Sequence, residues 1–484
     1  MNDLVLMGLE GAVLVTGLAV LLLDLWITPD QRRLLGFGAI ATLGVIFCAS
    51  FAYLPDGTQY AFGGMYALDE FALYFKRFFL IAGMFVLLLS VGTSHAEEGG
   101  QGEYLSLSLF ALAGMMFCAS AANLALLFVS LELVTVTFYV LVGFQRRRLA
   151  SLEAAIKYLI IGALSSAFLV YGIALIYGAT GTLDFRQLAS LPAAVMESRI
   201  LWLGALFLFV GLGFKMAAVP FQIWAPDVYQ GAPPSTTAFL AVGSKAAGFV
   251  LLLRVLHQTL PVLETRWLHL LMGVAGLSIA YGVLCAIPQR SLKRLLGYSS
   301  IANAGYLLIG VATLSAAGAT AALYYLAGYL YTVLAAFIVI AVVLQHTGRD
   351  DFDSLAGLHQ RSPLLAAGLT FAMVSLAGIP PLAGFFGKFL VLKAALAAGA
   401  EHPGFYWLLG IAVVGVVISL YYYFGVVRAV YWGTPGEQPA GPIRVEWPLQ
   451  VALYLAMVAI LWLGVMPNQI TNLAELAVKS LGLR

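Results

Sequence analysis

The 484-residue sequence contains little charge. Lysine, arginine, aspartate and glutamate together make up 10% of the chain, against about 25% in ordinary soluble domains. This scarcity excludes a water-soluble globular surface. The net charge is +2 and the basic residues are scattered, which excludes a nucleic-acid-binding patch and a polybasic lipid-binding segment.

Cysteine and histidine are also sparse. Cys48, Cys118 and Cys285 lie inside apolar stretches without CxxC spacing, so we expect small core residues instead of disulfides or a cluster site. The histidines lie in expected loops or near the ends of apolar stretches, where no opposed pair could ligate haem. They are His95, His257, His269, His346, His359 and His402. No metal or cofactor site is therefore predicted in this chain.

Apolar residues are abundant, at 62% of the chain, and they form runs of about 20 residues. A run of that length crosses a bilayer as a helix, so the sequence predicts an all-α polytopic membrane protein with about fourteen transmembrane helices. Asp3 and Glu10 replace the basic start of a signal peptide, so we expect the first helix to remain. The predicted spans are 4–26, 34–54, 70–92, 104–121, 122–143, 151–179, 199–221, 235–255, 266–287, 292–313, 318–345, 363–399, 404–433 and 446–470.

Two spans contain proline at membrane depth. Pro220 follows Lys215 in the seventh span, and Gly378-Ile379-Pro380-Pro381 interrupts the twelfth. Proline breaks a helix, and broken membrane helices mark ion and substrate sites in transporters. The breaks are five helices apart, which predicts two inverted five-helix repeats. The predicted domains are an N-terminal three-helix segment (1–103), the first repeat (104–255), the second repeat (266–433) and a C-terminal helix and tail (434–484).

Basic residues flanking the spans predict the orientation. Most of them fall in odd-numbered loops, which are therefore expected to be cytoplasmic, with both termini on the opposite side. The even-numbered loops contain Arg186, Arg199, Arg254 and Arg266.

A few charges remain inside the spans. They are Glu132 in the fifth span, Lys157 in the sixth, Lys215 in the seventh, Lys245 in the eighth and Lys388 in the twelfth. An ionised group at the bilayer centre costs about 2.5–3.5 kcal/mol, so keeping four of them costs on the order of 10 kcal/mol unless they pair or are hydrated. A function is the most direct reason to retain them.

One carboxylate and several lysines suit proton transfer, because burial moves the pKa of each type of group toward neutrality. The alternative is that they are structural ion pairs, or lysines that extend to the membrane surface. For Lys157 the alternative is specific, since Glu153 lies four residues earlier on the same helix. Polar residues that could order water between the charges are Thr135, Ser244, Ser299, Ser300 and Asn303.

The motifs around these charges carry a resemblance to a known family. They are Glu132, Lys215 before Pro220, and the stretches PFQIWAPDVYQGAPPSTTAFLAVGSKAAGF, KRLLGYSSIANAGY and GIPPLAGFFGKF. Over roughly 104–433 the chain resembles the antiporter-like proton-pumping subunits of respiratory complex I, and most closely their subunit N branch. Subunit L carries a further lateral helix, and subunit M typically has Glu where Lys388 stands.

The resemblance implies that Glu132 and Lys215 form a coupling pair, Lys245 a central relay, and Lys388 a relay at the exit or toward a neighbour. It also adds Lys157 as a further relay lysine. It implies a multi-pass subunit of the bacterial plasma membrane, among other membrane-arm subunits, with NADH, FMN, iron–sulfur clusters and quinone bound by partners and no cofactor in this chain. A subunit of a multi-subunit Na⁺/H⁺ antiporter or of a membrane-bound hydrogenase remains the alternative.

Overall fold

The computed structural model describes residues 3–28, 31–53, 57–93, 100–192, 195, 198–259, 264–433 and 441–483. Helices dominate throughout these ranges. The principal ones are α1 (Gly8–Leu23), α2 (Arg32–Ala49), α3 (Glu70–Gly92), α4 (Gln101–Ala119), α5 (Leu124–Val142), α6 (Leu149–Thr180), α7 (Arg199–Met216), α8 (Trp224–Gly231), α9 (Pro234–Gln258), α10 (Glu264–Ala286), α11 (Leu292–Ala312), α12 (Ala316–Thr347), α13 (Pro363–Ala377), α14 (Ala383–Ala398), α15 (Gly404–Trp432), α16 (Trp447–Val465) and α17 (Asn468–Lys479).

Shorter elements lie between them. Single helical turns occupy Asp3–Leu6, Ser50–Ala52, Phe62–Gly64, Phe185–Ala189, Phe352–Leu355 and Leu358–Arg361. A small antiparallel hairpin joins β1 (Gln59–Ala61) to β2 (Tyr66–Leu68). Within α9, residues Leu240–Ser244 form a π-helical turn.

Twelve helices in the described ranges are long and apolar enough to cross a membrane, namely α2 to α7, α9 to α12, α15 and α16. The helices α1 and α13 are apolar but shorter. This confirms an all-α, multi-pass membrane protein. Helices dominate because lipid offers no hydrogen-bond partner to the backbone, and a helix satisfies its own amides and carbonyls. The predicted domain boundary at 434 lies outside the described residues.

The core lies at the centre of the helix array. The membrane-crossing stretch of α9 is buried throughout, and those of α11 and α12 are nearly so. In contrast, α2 and α6 leave most of their apolar surface exposed, as expected of helices that face lipid. The expectation that Cys48 is a core residue is wrong, because it lies on the outward face of α2 near the exposed Val45, whereas Cys118 is buried.

Polar side chains fix where several helices begin. Asp69 accepts a hydrogen bond from the amide of Ala72 at the start of α3, and Asn123 does the same for Ala125 at the start of α5. Ser291 caps α11 in the same manner. These caps supply acceptors for amides that have no partner in the first helical turn.

Candidate functional site

Lys245 lies at the centre of the molecule, on α9 directly after the π-helical turn. Its side chain is 1% exposed. The ammonium group donates to the carbonyl of Ser300 at 2.6 Å and also to the Ser300 hydroxyl. That hydroxyl is hydrogen-bonded to the Tyr229 phenol of α8 at 2.9 Å. The Tyr329 ring of α12 lies 6.0 Å from the ammonium. Lys245 therefore contacts polar groups of α11 directly and is linked to α8 through the Ser300 hydroxyl, within the apolar interior.

A polar stripe on α11 continues from this point. Ser299 shares a hydrogen bond of 2.6 Å with the Tyr423 phenol of α15. The Asn303 amide donates to the Ser299 carbonyl at 2.9 Å, and its oxygen accepts from the Tyr325 phenol at 2.5 Å. Hydroxyl and amide groups of α11, α12 and α15 thus form one continuous buried network beside Ser300.

Lys388 lies on α14, beside Tyr306, which is about one turn beyond Asn303 on α11. Its ammonium donates to the carbonyls of Leu376 at 2.7 Å and Ala377 at 3.3 Å, which close α13. It also lies 5.1 Å from the ring centre of Tyr306 on α11. A cation at the end of a helix satisfies carbonyls that have no amide partner. Lys388 is 5% exposed, so the interruption between α13 and α14 holds it inside the protein.

Lys215 lies one residue before the end of α7 and is 3% exposed. Its ammonium donates to the Tyr158 phenol of α6 at 3.3 Å. The Tyr158 ring packs against Phe214 and Trp224, with centroids 5.6 and 4.9 Å away. Aromatic rings therefore surround the one hydroxyl that this lysine contacts.

The chain after α7 satisfies its own backbone groups. The helix closes at Ala217, which has a left-handed conformation with φ of 55°. The Trp224 indole donates to the Phe214 carbonyl at 3.0 Å, and the Val219 amide donates to the Ser278 hydroxyl of α10 at 2.9 Å. These partners satisfy backbone groups of the irregular segment next to Lys215. Without them, the groups would be buried with no hydrogen-bond partner.

Glu132 lies on α5 and is partly buried. Its carboxylate accepts a hydrogen bond of 2.5 Å from Ser166 on α6. Glu132 and Lys215 make no direct ion pair; Glu132 contacts Ser166 and Lys215 contacts Tyr158. The two residues implied to form a coupling pair are therefore not in direct contact.

Lys157 lies apart from the three buried lysines. Its side chain is 42% exposed and pairs with Glu153 at 2.7 Å and with Asp227 of α8 at 2.8 Å. Asp227 also pairs with Arg294 of α11 at 2.5 Å. The ion pair with Glu153, which is the structural alternative for Lys157, is therefore present. Asp227 of α8 links Lys157 to Arg294 of α11.

Direct carboxylate partners distinguish these lysines. Among the ion pairs of the described residues, none includes Lys215, Lys245 or Lys388. Each of the three donates instead to hydroxyls or carbonyls. In a buried lysine without a carboxylate partner, the charged and neutral forms are closer in free energy than in a lysine that is paired with a carboxylate.

Sequence reasoning identified Ser299, Ser300 and Asn303 but missed the tyrosines. Phenol groups contact the lysines or extend the α11 stripe at Tyr158, Tyr229, Tyr306, Tyr325, Tyr329 and Tyr423. A signal was available, because the chain contains 23 tyrosines and several lie in the quoted motifs. It was weak, since tyrosine is equally common at lipid interfaces.

Three comparisons place these observations in a family. Residues 121–419 match the family described as NADH:quinone oxidoreductase/Mrp antiporter, TM. NADH-quinone oxidoreductase subunit N of Moorella thermoacetica is 40% identical over 98% of both chains. A chain of respiratory complex I from Thermus thermophilus is 34% identical, with a TM-score of 0.80 and coverage of 96% of this chain and 98% of that one.

A more distant structure has the same fold. A chain of the Mrp complex from Dietzia sp. is 23% identical, with a TM-score of 0.84 over 98% of this chain and 97% of that one. The long match at 40% identity, the family match and the buried lysines agree with one another. The chain therefore belongs to the NADH:quinone oxidoreductase/Mrp antiporter family of membrane subunits, and within it to the subunit N group.

Proposed function

We propose that this chain is a proton-translocating membrane subunit of NADH-quinone oxidoreductase, respiratory complex I. Its relay comprises Glu132, Lys215, Lys245 and Lys388. The observation that carries the proposal is the set of three buried lysines that donate only to hydroxyls and carbonyls. The α11 network lies beside Lys245, and Tyr306 of the same helix lies beside Lys388. Such groups exchange protons through short hydrogen-bonded steps.

The energy comes from partner subunits. NADH, FMN, iron–sulfur clusters and quinone belong to them, and no redox step occurs in this chain. A change of charge next to Glu132 alters its interaction with Lys215, and the change passes along the row. Moving one proton against 100 mV requires about 2.3 kcal/mol. A charge displaced by a few ångströms in a low-dielectric interior supplies energy of that order.

We further propose that the chain has fourteen spans, ten of which form two inverted five-helix repeats, 104–255 and 266–433, each with one broken helix. The first break lies between α7 and α8, and the second between α13 and α14. Each begins with a left-handed residue, Ala217 or Gly378. Lys215 precedes its break, whereas Lys388 follows its own. Both termini are then on the outer side of the bacterial plasma membrane.

Lys157 is the fifth member of the relay in this proposal. Its two carboxylate partners hold its charge, and its side chain is 42% exposed. In the proposal it faces a neighbouring membrane-arm subunit. Lys157 interacts electrostatically with that neighbour, whereas the buried lysines carry the proton.

The test replaces Lys388 by methionine in the assembled complex and compares it with Lys393→Met on the same helix, where the side chain is exposed. Lys388→Met is expected to lower NADH-driven proton uptake into inverted vesicles at least tenfold. Lys393→Met is expected to pump like the native complex. Equal pumping by the two variants would refute the proposed role of Lys388.

The alternative is a subunit of a Na⁺/H⁺ antiporter or of a membrane-bound hydrogenase. The antiporter is supported by the family description, which names the Mrp antiporter beside the oxidoreductase, and by the fold of the Mrp chain. Purification from native membranes discriminates between them. Copurification of flavin and iron–sulfur subunits with NADH-quinone reductase activity is expected for complex I. Sodium-dependent exchange without those subunits would favour the antiporter.

A further inference from the structure

The protein contains a second set of buried charges, which lies in and beside the N-terminal segment. Lys76 of α3 and Glu10 of α1 are both 0% exposed and form an ion pair of 2.9 Å. The Lys76 ammonium also donates to the Tyr66 phenol of β2 at 2.7 Å. The phenol lies 3.0 Å from the Leu6 carbonyl and 3.1 Å from the Glu10 carboxylate, either of which accepts its proton. Every charge in this group therefore has a direct partner.

A second buried pair lies two helical turns away along α3. Arg254 near the end of α9 and Asp69 at the start of α3 are 0% and 1% exposed. The guanidinium donates to both carboxylate oxygens, at 3.0 and 2.8 Å, and to the Ala119 carbonyl at the end of α4 at 2.8 Å. It also donates to Gln258 at 2.9 Å. A forked contact of this kind fixes orientation as well as distance.

The two pairs join different parts of the chain. Glu10, Tyr66, Asp69 and Lys76 belong to the N-terminal segment, whereas Arg254 belongs to the helix that carries Lys245. The four charged groups sum to zero. Removing one member leaves an uncompensated charge in the interior, which is strongly destabilising.

The contrast with the relay lysines separates two roles for buried cations. Lys215, Lys245 and Lys388 donate to neutral groups. Lys76 and Arg254 each contact a carboxylate, and arginine does not lose its proton in proteins. The first set suits proton exchange, and the second set holds a fixed charge.

Geometry connects the fixed charges to the relay. Arg254 lies nine residues after Lys245, which is two and a half helical turns or about 14 Å along α9. The two side chains therefore project from opposite sides of the helix. One side is held by Asp69 and Ala119, and the other by Ser300 of α11. Rotation or sliding of α9 is opposed from both sides.

We infer that Glu10, Tyr66, Lys76, Asp69 and Arg254 form a charge lock that fastens the N-terminal helices to α9 and positions Lys245 against α11. Asp69 and Arg254 are thus positioning residues, and Glu10 and Lys76 hold α1 and α3 together beneath them. The positioning role rests on the proposed function of Lys245, whereas the lock itself does not.

The first experiment compares single and paired neutralisation in the whole complex. Lys76→Met and Arg254→Met are each expected to lower the amount of assembled complex at least tenfold. The paired variants Glu10→Gln/Lys76→Met and Asp69→Asn/Arg254→Met are expected to restore it to within threefold of native, because no unpaired charge remains and asparagine keeps the α3 cap. Arg33→Gln, which removes a pair with Glu446 whose two side chains are both about half exposed, serves as the control and should assemble normally.

The second experiment measures protons translocated per quinol formed, in complex that has assembled. Arg254→Met is expected to lower this ratio at least twofold, and Arg254→Lys, which keeps a cation beside Asp69, is expected to restore most of it. An unchanged ratio in Arg254→Met would overturn the positioning role.

The two experiments distinguish a defect in assembly from a defect in pumping. If the paired variants assemble no better than the single ones, the lock is refuted. If Glu10→Gln/Lys76→Met assembles fully but does not pump, this pair exchanges protons and the fixed-charge assignment is wrong. Failure of the proposed function would appear elsewhere, as normal pumping by Lys245→Ala.

Discussion

Replacing Ser300 by alanine is expected to slow proton translocation about tenfold. The substitution removes the hydroxyl that Lys245 contacts and that Tyr229 shares, but it leaves the Ser300 carbonyl in place at 2.6 Å. A hydrogen bond to a charged group contributes about 1.5–3 kcal/mol. Because one acceptor remains, the lower limit of about 1.5 kcal/mol applies, and each 1.4 kcal/mol changes a rate about tenfold.

The measurement is NADH-driven proton uptake into inverted membrane vesicles, followed with a pH-sensitive dye and normalised to the amount of assembled complex. Ser419→Ala is the matched control, because Ser419 is equally buried and its hydroxyl donates only to the Val416 carbonyl of its own helix. The control is expected to pump normally. If Ser300→Ala pumps at the same rate as Ser419→Ala, Ser300 is not part of the path and the α11 network is structural.

Three further outcomes are expected. Gly378→Ala should destabilise the protein by about 1–2 kcal/mol, because Gly378 has φ of 85° and a Cβ there would lie 3.0 Å from the Lys388 side chain. Thermal unfolding of the solubilised complex measures this loss. An unchanged unfolding midpoint would contradict the prediction. Tyr158→Phe should keep the ring packing but remove the hydroxyl that Lys215 contacts, so pumping should fall severalfold at unchanged assembly, and normal pumping would argue against a role for this phenol. Lys157→Met should alter stability by less than about 1 kcal/mol, because the ion pairs of Lys157 are partly exposed. It should also lower pumping less than Lys388→Met does. Loss of assembly would instead show that the ion pairs of Lys157 with Glu153 and Asp227 are structural.

Separation of paired from unpaired cations is a general solution for a protein that must both fold and move protons. A fixed ion pair stabilises the array of helices but cannot release a proton cheaply. A lysine held by hydroxyls can release one, yet contributes less to stability. Both kinds of cation lie on α9, with Lys245 ahead of Arg254, so in the proposed mechanism one helix serves both needs.

The amino-acid sequence by itself determined the class of the protein and its family. Long apolar runs specify membrane helices, because lipid leaves the backbone no other way to satisfy its hydrogen bonds. The cost of burying charge singled out Glu132, Lys215, Lys245 and Lys388, and the motifs around them pointed to the family that the comparisons confirm.

Only the tertiary structure decided which charges have partners. Arg254 was placed at the end of a span beside an outer loop, but it is fully buried against Asp69, 185 residues earlier in the chain. Lys157 falls inside a predicted span, yet its side chain is 42% exposed and pairs with Glu153 and Asp227. Ion pairs form between side chains of helices that are far apart in the sequence. The apolar periodicity of a helix indicates which face is buried, but it does not indicate which residues pack against that face. Whether a membrane lysine is held by a carboxylate or by a hydroxyl is therefore fixed by packing, and that difference separates the lock from the relay.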